Sequence, residues 1–317
     1  MKRILCPEPD SFSAKGLALA ASRAELVARR MNQAAFETAA PDFDAVLVRF
    51  NTRVRGELLQ RASRLQAILS PTTGLDHIDM TGAQRLGVKV FHLRGQKRFL
   101  KAISATAELT IALMLAVLRK LPAAVESTRA GHWEPGPFRG REAAGKVLGL
   151  VGGGRLGSKV ARVGVALGMR VLVYDPLVMR LPAGVVRVDS LQEVLSKADI
   201  LSLHVPLIPE TVHLIGASQF AIMKPGSVLV NTARGAVVDT PALLDALHSG
   251  RLAAAAVDVV EDEESILRGG NHILIDYAHQ HDNLLITPHI GGATYEAVEK
   301  TDVFILNRYF NDQGFTS

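Results

Sequence analysis

Three short segments of the 317-residue chain carry side chains suited to acid–base and anion chemistry. Asn231-Thr232-Ala233-Arg234-Gly235 offers a guanidinium, Asp258-Val259-Val260-Glu261-Asp262-Glu263-Glu264 a run of carboxylates, and Thr287-Pro288-His289-Ile290-Gly291-Gly292 an imidazole. Hydride exchange with a secondary alcohol requires a group that takes or returns the hydroxyl proton, and histidine suits because its ordinary pKa lies near neutrality. A neighbouring carboxylate would orient the ring and favour imidazolium, while the planar fork of an arginine would hold a substrate carboxylate through two hydrogen bonds. Taken singly, each has a plainer reading: Arg234 as a surface residue, the acid run as a solvated loop, His289 as a packed core histidine. What joins them is that each ends a predicted strand, where doubly wound α/β folds bind ligands.

Upstream lies a phosphate-binding pattern. Val147-Leu148-Gly149-Leu150-Val151 reads as a strand, Gly152-Gly153-Gly154-Arg155-Leu156-Gly157 as a Gly-x-Gly-x-x-Gly turn, 158–167 as a helix, and 170–174 as a second strand ending at Asp175. In such a unit Gly152 permits the tight turn, Gly154 lets the backbone approach a pyrophosphate, and Gly157 allows close helix packing, with the helix N-terminus facing the anion. Asp175 lies 18 positions after Gly157, close to the ~20 at which a carboxylate meets the ribose hydroxyls. A carboxylate there repels a 2′-phosphate, so the expected cofactor is NAD rather than NADP; Arg180 lies outside the strand-end position.

Two βα series position these motifs. In the first, strands are expected at 3–6, 45–49, 66–69 and 88–92, with amphipathic stretches at 14–30, 56–62 and 80–86. A basic connector, Arg94–Lys101, leads into a helical pattern from Ser104 to Lys120 that Pro122 closes. The second series places strands at 147–151, 170–174, 200–204, 227–231, 254–257 and 283–286, a second doubly wound unit. The stretch 294–311 reads as one amphipathic helix that must pack on something earlier. The fold expected is therefore α/β with two doubly wound parallel sheets, the second a Rossmann-type nucleotide domain.

Composition excludes other classes. Apolar residues at 48% and charged residues at 21% are the balance of a soluble globular enzyme. The 36 basic residues and net charge of +5 are spread without a block, which argues against nucleic acid. The strongly apolar run Ile111–Leu118 falls short of a bilayer span and no signal-like leader opens the chain, so no membrane partner is expected and the location is read as cytoplasmic. The single Cys6 forbids an intramolecular disulfide and a cysteine-based metal cage.

In order, the glycine motif, Asp175, "NTARG", "DVVEDEE" and "TPHIGGAT" resemble the D-isomer-specific 2-hydroxyacid dehydrogenases, and "ILSPTTGLDHIDM" (Ile68–Met80) and "ATAELTIALMLA" (Ala105–Ala116) are similar to that family's substrate loop and interdomain helix. The resemblance implies an NAD-dependent oxidoreductase acting on a small 2-hydroxy or 2-oxo acid. It implies Arg234 as the carboxylate-binding arginine, His289 as the proton donor or acceptor and Glu263 as its partner. Glu264 stands where the family usually has proline, which leaves Glu261 and Glu264 as alternatives. Around the cofactor it implies Gly152, Gly154, Arg155, Leu156, Gly157 and Asp175, then His204, Val205 and Pro206 near the adenine. Thr232, Ala233, Arg234, Asp258, His289, Gly291 and Gly292 would complete that set. Phe50, Asn51, Thr73 and Gly74 are implied on the substrate side, alongside Arg234 and His289, in a cleft whose closure excludes water. The implied domains are a flavodoxin-like substrate domain, 1–101 completed by 292–317, and the nucleotide domain, 102–291, assembled as a homodimer through the latter. Competing readings are an NAD(H)-sensing corepressor-type binding protein and a phosphite- or formate-type dehydrogenase on the same fold.

Three features receive bland readings. His279-Gln280-His281 lacks a third metal ligand, so no metal is expected. The connector Arg94–Lys101 reads as a solvated hinge, and Trp133, in a proline- and glycine-rich link, as a packing anchor.

Overall fold

In the computed structural model, which describes residues 1–267 and 269–312, the β-branched and leucine-rich runs form twelve strands whose pairings within each sheet are parallel. Contacts divide the chain into two units, Met1–Ile103 with the segment from Ala293 onward, and Ser104–Gly292.

The first unit holds β1 (Arg3–Cys6), β2 (Glu25–Ala28), β3 (Ala45–Leu47), β4 (Ala67–Ser70) and β5 (Lys89–His92) in the order β2-β1-β3-β4-β5. Alternate side chains supply the cores on opposite faces of this sheet. Ile4, Cys6, Ala45, Leu47, Ala67 and Leu69 join one cluster, and Leu5, Val46 and Ile68 the other. Burial on both faces explains why these strands read as continuous apolar runs rather than alternating ones. It also pushes the Cys6 thiol up to about 12 and leaves it unreactive. The helix Tyr295–Asp312 buries Ile305, Leu306, Tyr309 and Phe310 in this unit. Asp302 fastens it by accepting from Ser13 N (2.7 Å), Ser13 Oγ (2.9 Å) and Arg49 Nη2 (2.5 Å).

The second unit holds β6 (Val147–Val151), β7 (Arg170–Tyr174), β8 (Val185–Arg187), β9 (Ile200–Leu203), β10 (Ser227–Asn231), β11 (Leu252–Val257) and β12 (Leu284–Ile286), ordered β12-β11-β10-β9-β6-β7-β8. Successive strands run outward from β6 in one direction and from β9 in the other, so the topological switch point falls between them, where such sheets bind nucleotides. The first sheet has its own switch between β1 and β3.

Several expectations are corrected. The stretch 14–30 is not one helix: Ser13 caps Ala14–Arg23, and Glu25–Ala28 leaves as the half-exposed edge strand β2. The helix Gln33–Ala39, capped by Asn32, and the strand β8 were not expected; both are short and weakly patterned. Pro122 does not close a helix but lies in the first turn of the next, Leu121–Arg129, where its missing N–H costs nothing. The break between the helices is the left-handed Lys120 (φ 50°). The connector is solvated at Arg94, Gly95, Lys97, Arg98 and Lys101 as expected, yet it is partly folded: Lys97–Leu100 is helical, Leu100 is buried, and Phe99 stacks on Phe304 at 3.9 Å. This packing carries the first unit past Lys101 to Ile103. Trp133 is 87% exposed and is no packing anchor among the described residues, because the stretch 131–140 runs along the surface. The stretch Lys97–Leu118, at 22 residues and mean hydropathy 1.6, is long and apolar enough to span a bilayer by length and composition. It is interrupted before Ala105, and Ala107, Leu113, Met114, Val117 and Leu118 are buried in the second unit's core.

Candidate active site

The glycine turn is built by close approaches that leave no room for side chains. Gly152 has φ 103°, and a Cβ there would lie 2.6 Å from the His204 carbonyl oxygen. A Cβ on Gly157 would lie 2.0 Å from the Gly152 oxygen, so the helix Arg155–Ala166 rests on the turn itself rather than on the strand. Gly154 differs: a Cβ would meet nothing within 4 Å, which leaves open space over the turn at a helix N-terminus that no side chain caps. This cradle fits a pyrophosphate, whose charge the helix dipole favours. Arg155 and Leu156 form the first helical turn, and burial lowers the Arg155 pKa.

Asp175 organises the neighbouring loop. Its Oδ2 accepts from Gly153 N at 2.7 Å, and Oδ1 accepts from Leu177 N at 2.8 Å and Val178 N at 3.0 Å. With both acceptor sites of Oδ1 taken and one of Oδ2, it is Oδ2 that retains capacity for a ribose hydroxyl. His204 follows β9 with Nε2 3.0 Å from Ser202 Oγ, and burial pushes its pKa down to about 4, so the ring is neutral at pH 7. Val205 packs against the core, and the Pro206 carbonyl accepts from Thr211 Oγ1 at 2.7 Å.

Three strand ends bring the chemical groups together. After β10, Asn231 Oδ1 accepts from Ala233 N (3.0 Å) and its Nδ2 donates to Arg234 O (2.9 Å), shaping the turn that presents Arg234. Thr232 Oγ1 lies 2.7 Å from Thr110 Oγ1; Thr110 donates to Thr106 O, so Thr232 is the donor of that pair. A Cβ on Gly235 would sit 1.9 Å from the Val260 carbonyl, so glycine is required where the arginine loop presses on the acid run.

After β11, Asp258 is 1% exposed and acts as a brace. Its Oδ1 accepts from Thr287 Oγ1 (2.6 Å) and Ile290 N (2.9 Å), and its Oδ2 from Gly291 N (2.7 Å). Burial raises its pKa against the opposing pull of these donors. The loop after β12 is thereby wrapped round Asp258. Gly291 is also tight, its would-be Cβ 2.9 Å from Asp258 Oδ2, whereas Gly292 is open. His289 is held with φ 53°, a left-handed conformation uncommon for a histidine. Its Nδ1 lies 2.8 Å from Glu263 Oε2, and Glu263 Oε1 accepts from Val260 N at 3.3 Å.

The neighbouring acid Glu261 meets other partners. Glu261 faces away, with Oε1 2.7 Å from His213 Nε2 and Oε2 accepting from Thr240 Oγ1 at 3.1 Å. The His213 pKa is raised, first by that bond to Glu261 and also by the charges of Glu261 and Asp239, against a smaller opposing effect of burial.

A family model described as the D-isomer specific 2-hydroxyacid dehydrogenase NAD-binding domain matches residues 111–291. The chain belongs to the D-isomer-specific 2-hydroxyacid dehydrogenase family. It is 35% identical over 86% of its length to a hydroxypyruvate reductase of Thermotoga maritima, covering 86% of that protein. It is 38% identical over 84% of its length to a D-3-phosphoglycerate dehydrogenase of Methanocaldococcus jannaschii but spans 49% of it, about half, as for the relative from Archaeoglobus fulgidus at 50%. A D-lactate dehydrogenase of Aquifex aeolicus, solved with NAD and lactic acid, superposes with TM-score 0.84 at 29% identity over 99% of this chain and 96% of that one. NAD is the cofactor of this 2-hydroxyacid dehydrogenase fold.

The residues expected on the substrate side, Phe50, Asn51, Thr73 and Gly74, lie in the first unit, after β3 and β4. Phe50 packs edge-on against His77 at 5.5 Å, and Asn51 and Thr73 are exposed. The Gly74 carbonyl accepts from Thr72 Oγ1 at 2.8 Å, and His77 Nε2 lies 3.0 Å from Ser70 Oγ. Sequence reading missed Asn231, Thr110, His213 and Thr287 as shaping residues. Only Asn231 and Thr287 carried a signal, their place inside strand-end motifs. His281 turns out to stack on Tyr277 at 3.9 Å, an aromatic packing role.

Proposed function

We propose that the chain catalyses the reversible, NAD-dependent interconversion of a small D-2-hydroxy acid and its 2-oxo acid. The observation that carries this reading is the His289–Glu263 pair at the strand ends of an NAD-binding unit, beside the Arg234 turn. When bound, NAD supplies or accepts the hydride. Glu263 holds the His289 ring by Nδ1, so that Nε2 is the atom that exchanges the proton with the substrate oxygen. In reduction the ring gives that proton; in oxidation the neutral ring receives it. Arg234 grips the substrate carboxylate, and Phe50, Asn51, Thr73 and Gly74 are assigned to substrate contacts in the first unit.

Around the cofactor we assign Gly152, Gly154, Arg155, Leu156 and Gly157 to the pyrophosphate, Asp175 to the ribose, and His204, Val205 and Pro206 to the adenine side. Thr232, Ala233, Gly291 and Gly292 are assigned to the nicotinamide side, with Asp258 as their brace. A cytoplasmic homodimer is assigned on the family resemblance and is checked by sedimentation. The deciding experiment follows NADH oxidation against glyoxylate, hydroxypyruvate, pyruvate, 2-oxoglutarate and 3-phosphohydroxypyruvate, with NADPH in parallel. Turnover of one acid with preference for NADH is expected. NADH binding without turnover of any would transfer the assignment to an NAD(H) sensor.

A further inference from the structure

The geometry points to a second anion site: the amino-terminal edge of the second unit's sheet holds a tetrahedral oxyanion, a phosphate or the phosphoryl head of a small ester. There a cavity of about 90 Å³ opens between the starts of β6, β9 and β10, lined by Arg141, Lys146, Asp199, Lys224, Gly226 and Ser227. A single water needs ~10–15 Å³ by the same measure, so the space admits one ion of about five heavy atoms or several waters.

Its charges are unbalanced. Asp199 is committed to Val147 N at 2.8 Å and to Lys224 Nζ at 2.9 Å. Arg141 donates through Nη1 to the Gly226 carbonyl at 2.6 Å, which fixes the guanidinium at the cavity wall. Three cations thus meet one carboxylate, a surplus of two positive charges that matches a dianion. Independently, Ser227 is 2% exposed, and its hydroxyl has no hydrogen-bond partner among the described residues. A buried hydroxyl left unpaired is costly, and a polar occupant of the neighbouring cavity would supply the acceptor.

The position separates this site from the nucleotide. Strands β6, β9 and β10 carry the glycine turn, His204 and the Arg234 turn at their carboxyl ends. At ~3.3 Å per residue, strands of four and five residues set the two edges about 15 Å apart. Oxyanion binding should therefore stabilise the fold without competing with NADH.

The test is thermal unfolding of the whole protein with saturating NADH, in inorganic phosphate against sodium chloride of equal ionic strength. A saturable rise of about 3 °C at tenfold excess over the dissociation constant is expected. Arg141→Gln and Lys146→Gln should each lose most of that rise while keeping turnover and NADH affinity. Ser227→Ala should melt no lower than the parent without phosphate, since it removes an unpaired hydroxyl, yet gain less from phosphate. Glycerol phosphate matching inorganic phosphate would assign an ester head group, and its failure alone the bare ion. A rise equalled by chloride, unchanged in the variants, or abolished by NADH would overturn the assignment, the last placing the ion in the glycine cradle.

Discussion

Nδ1 of His289 lies 2.8 Å from Oε2 of Glu263, while the alternative acid Glu261 is bonded to His213. Glu263→Gln keeps an acceptor but removes the negative charge beside Nδ1. It should lower kcat by on the order of 10²-fold, the scale of a positioned acid–base group. Glu264→Gln should change kcat by no more than a few-fold. Steady-state turnover of both variants checks this, and equal losses would count against the pairing.

Arg234 is presented by a turn that Asn231 ties from both sides. Arg234→Lys retains the charge and loses the planar fork, so kcat/KM for the best 2-oxo acid should fall by on the order of 10²-fold. Kinetics across substrate concentration decide it, and an unchanged kcat/KM would remove Arg234 from substrate binding.

Gly154 and Gly157 stand in the same motif but should fail differently. A Cβ on Gly154 meets nothing within 4 Å, so Gly154→Ala should leave the ligand-free protein as stable as before yet weaken NADH binding, because the methyl intrudes on the cradle. A Cβ on Gly157 meets the Gly152 oxygen at 2.0 Å, so Gly157→Ala should cost about 1–3 kcal/mol of stability even without NADH. Denaturant unfolding and fluorescence titration with NADH separate the two effects.

Burial lowers His204 from its ordinary 6.5 to about 4. Between those values the unfolded chain takes up a proton that the folded one refuses, so stability present above pH 6.5 is lost as pH falls towards 4. The loss from this group amounts to about 3 kcal/mol when complete. Unfolding measured at pH 7.5 and pH 4.5 should therefore show a smaller difference for His204→Asn than for the parent; an equal difference would mean that His204 does not report this burial.

The sequence by itself determined the doubly wound character of both units, because parallel strands buried on two faces must be continuous apolar runs such as Ala45–Leu47 and Leu252–Val257. It also determined the glycine cradle, since its spacing reflects backbone approaches within one short turn. Weak local signals hid what neighbours supply: edge strands β2 and β8 are half-exposed, and Lys97–Leu100 is helical because Phe99 and Leu100 pack inward. Only the tertiary structure decided that Glu263 meets His289 while Glu261 meets His213. Glu261, Glu263 and Glu264 are chemically alike and nearly adjacent, so direction depends on a left-handed Asp262 (φ 53°) and the approach of Gly235 to Val260. Such choices rest on contacts between residues far apart in the chain, and spacing along one loop does not encode them.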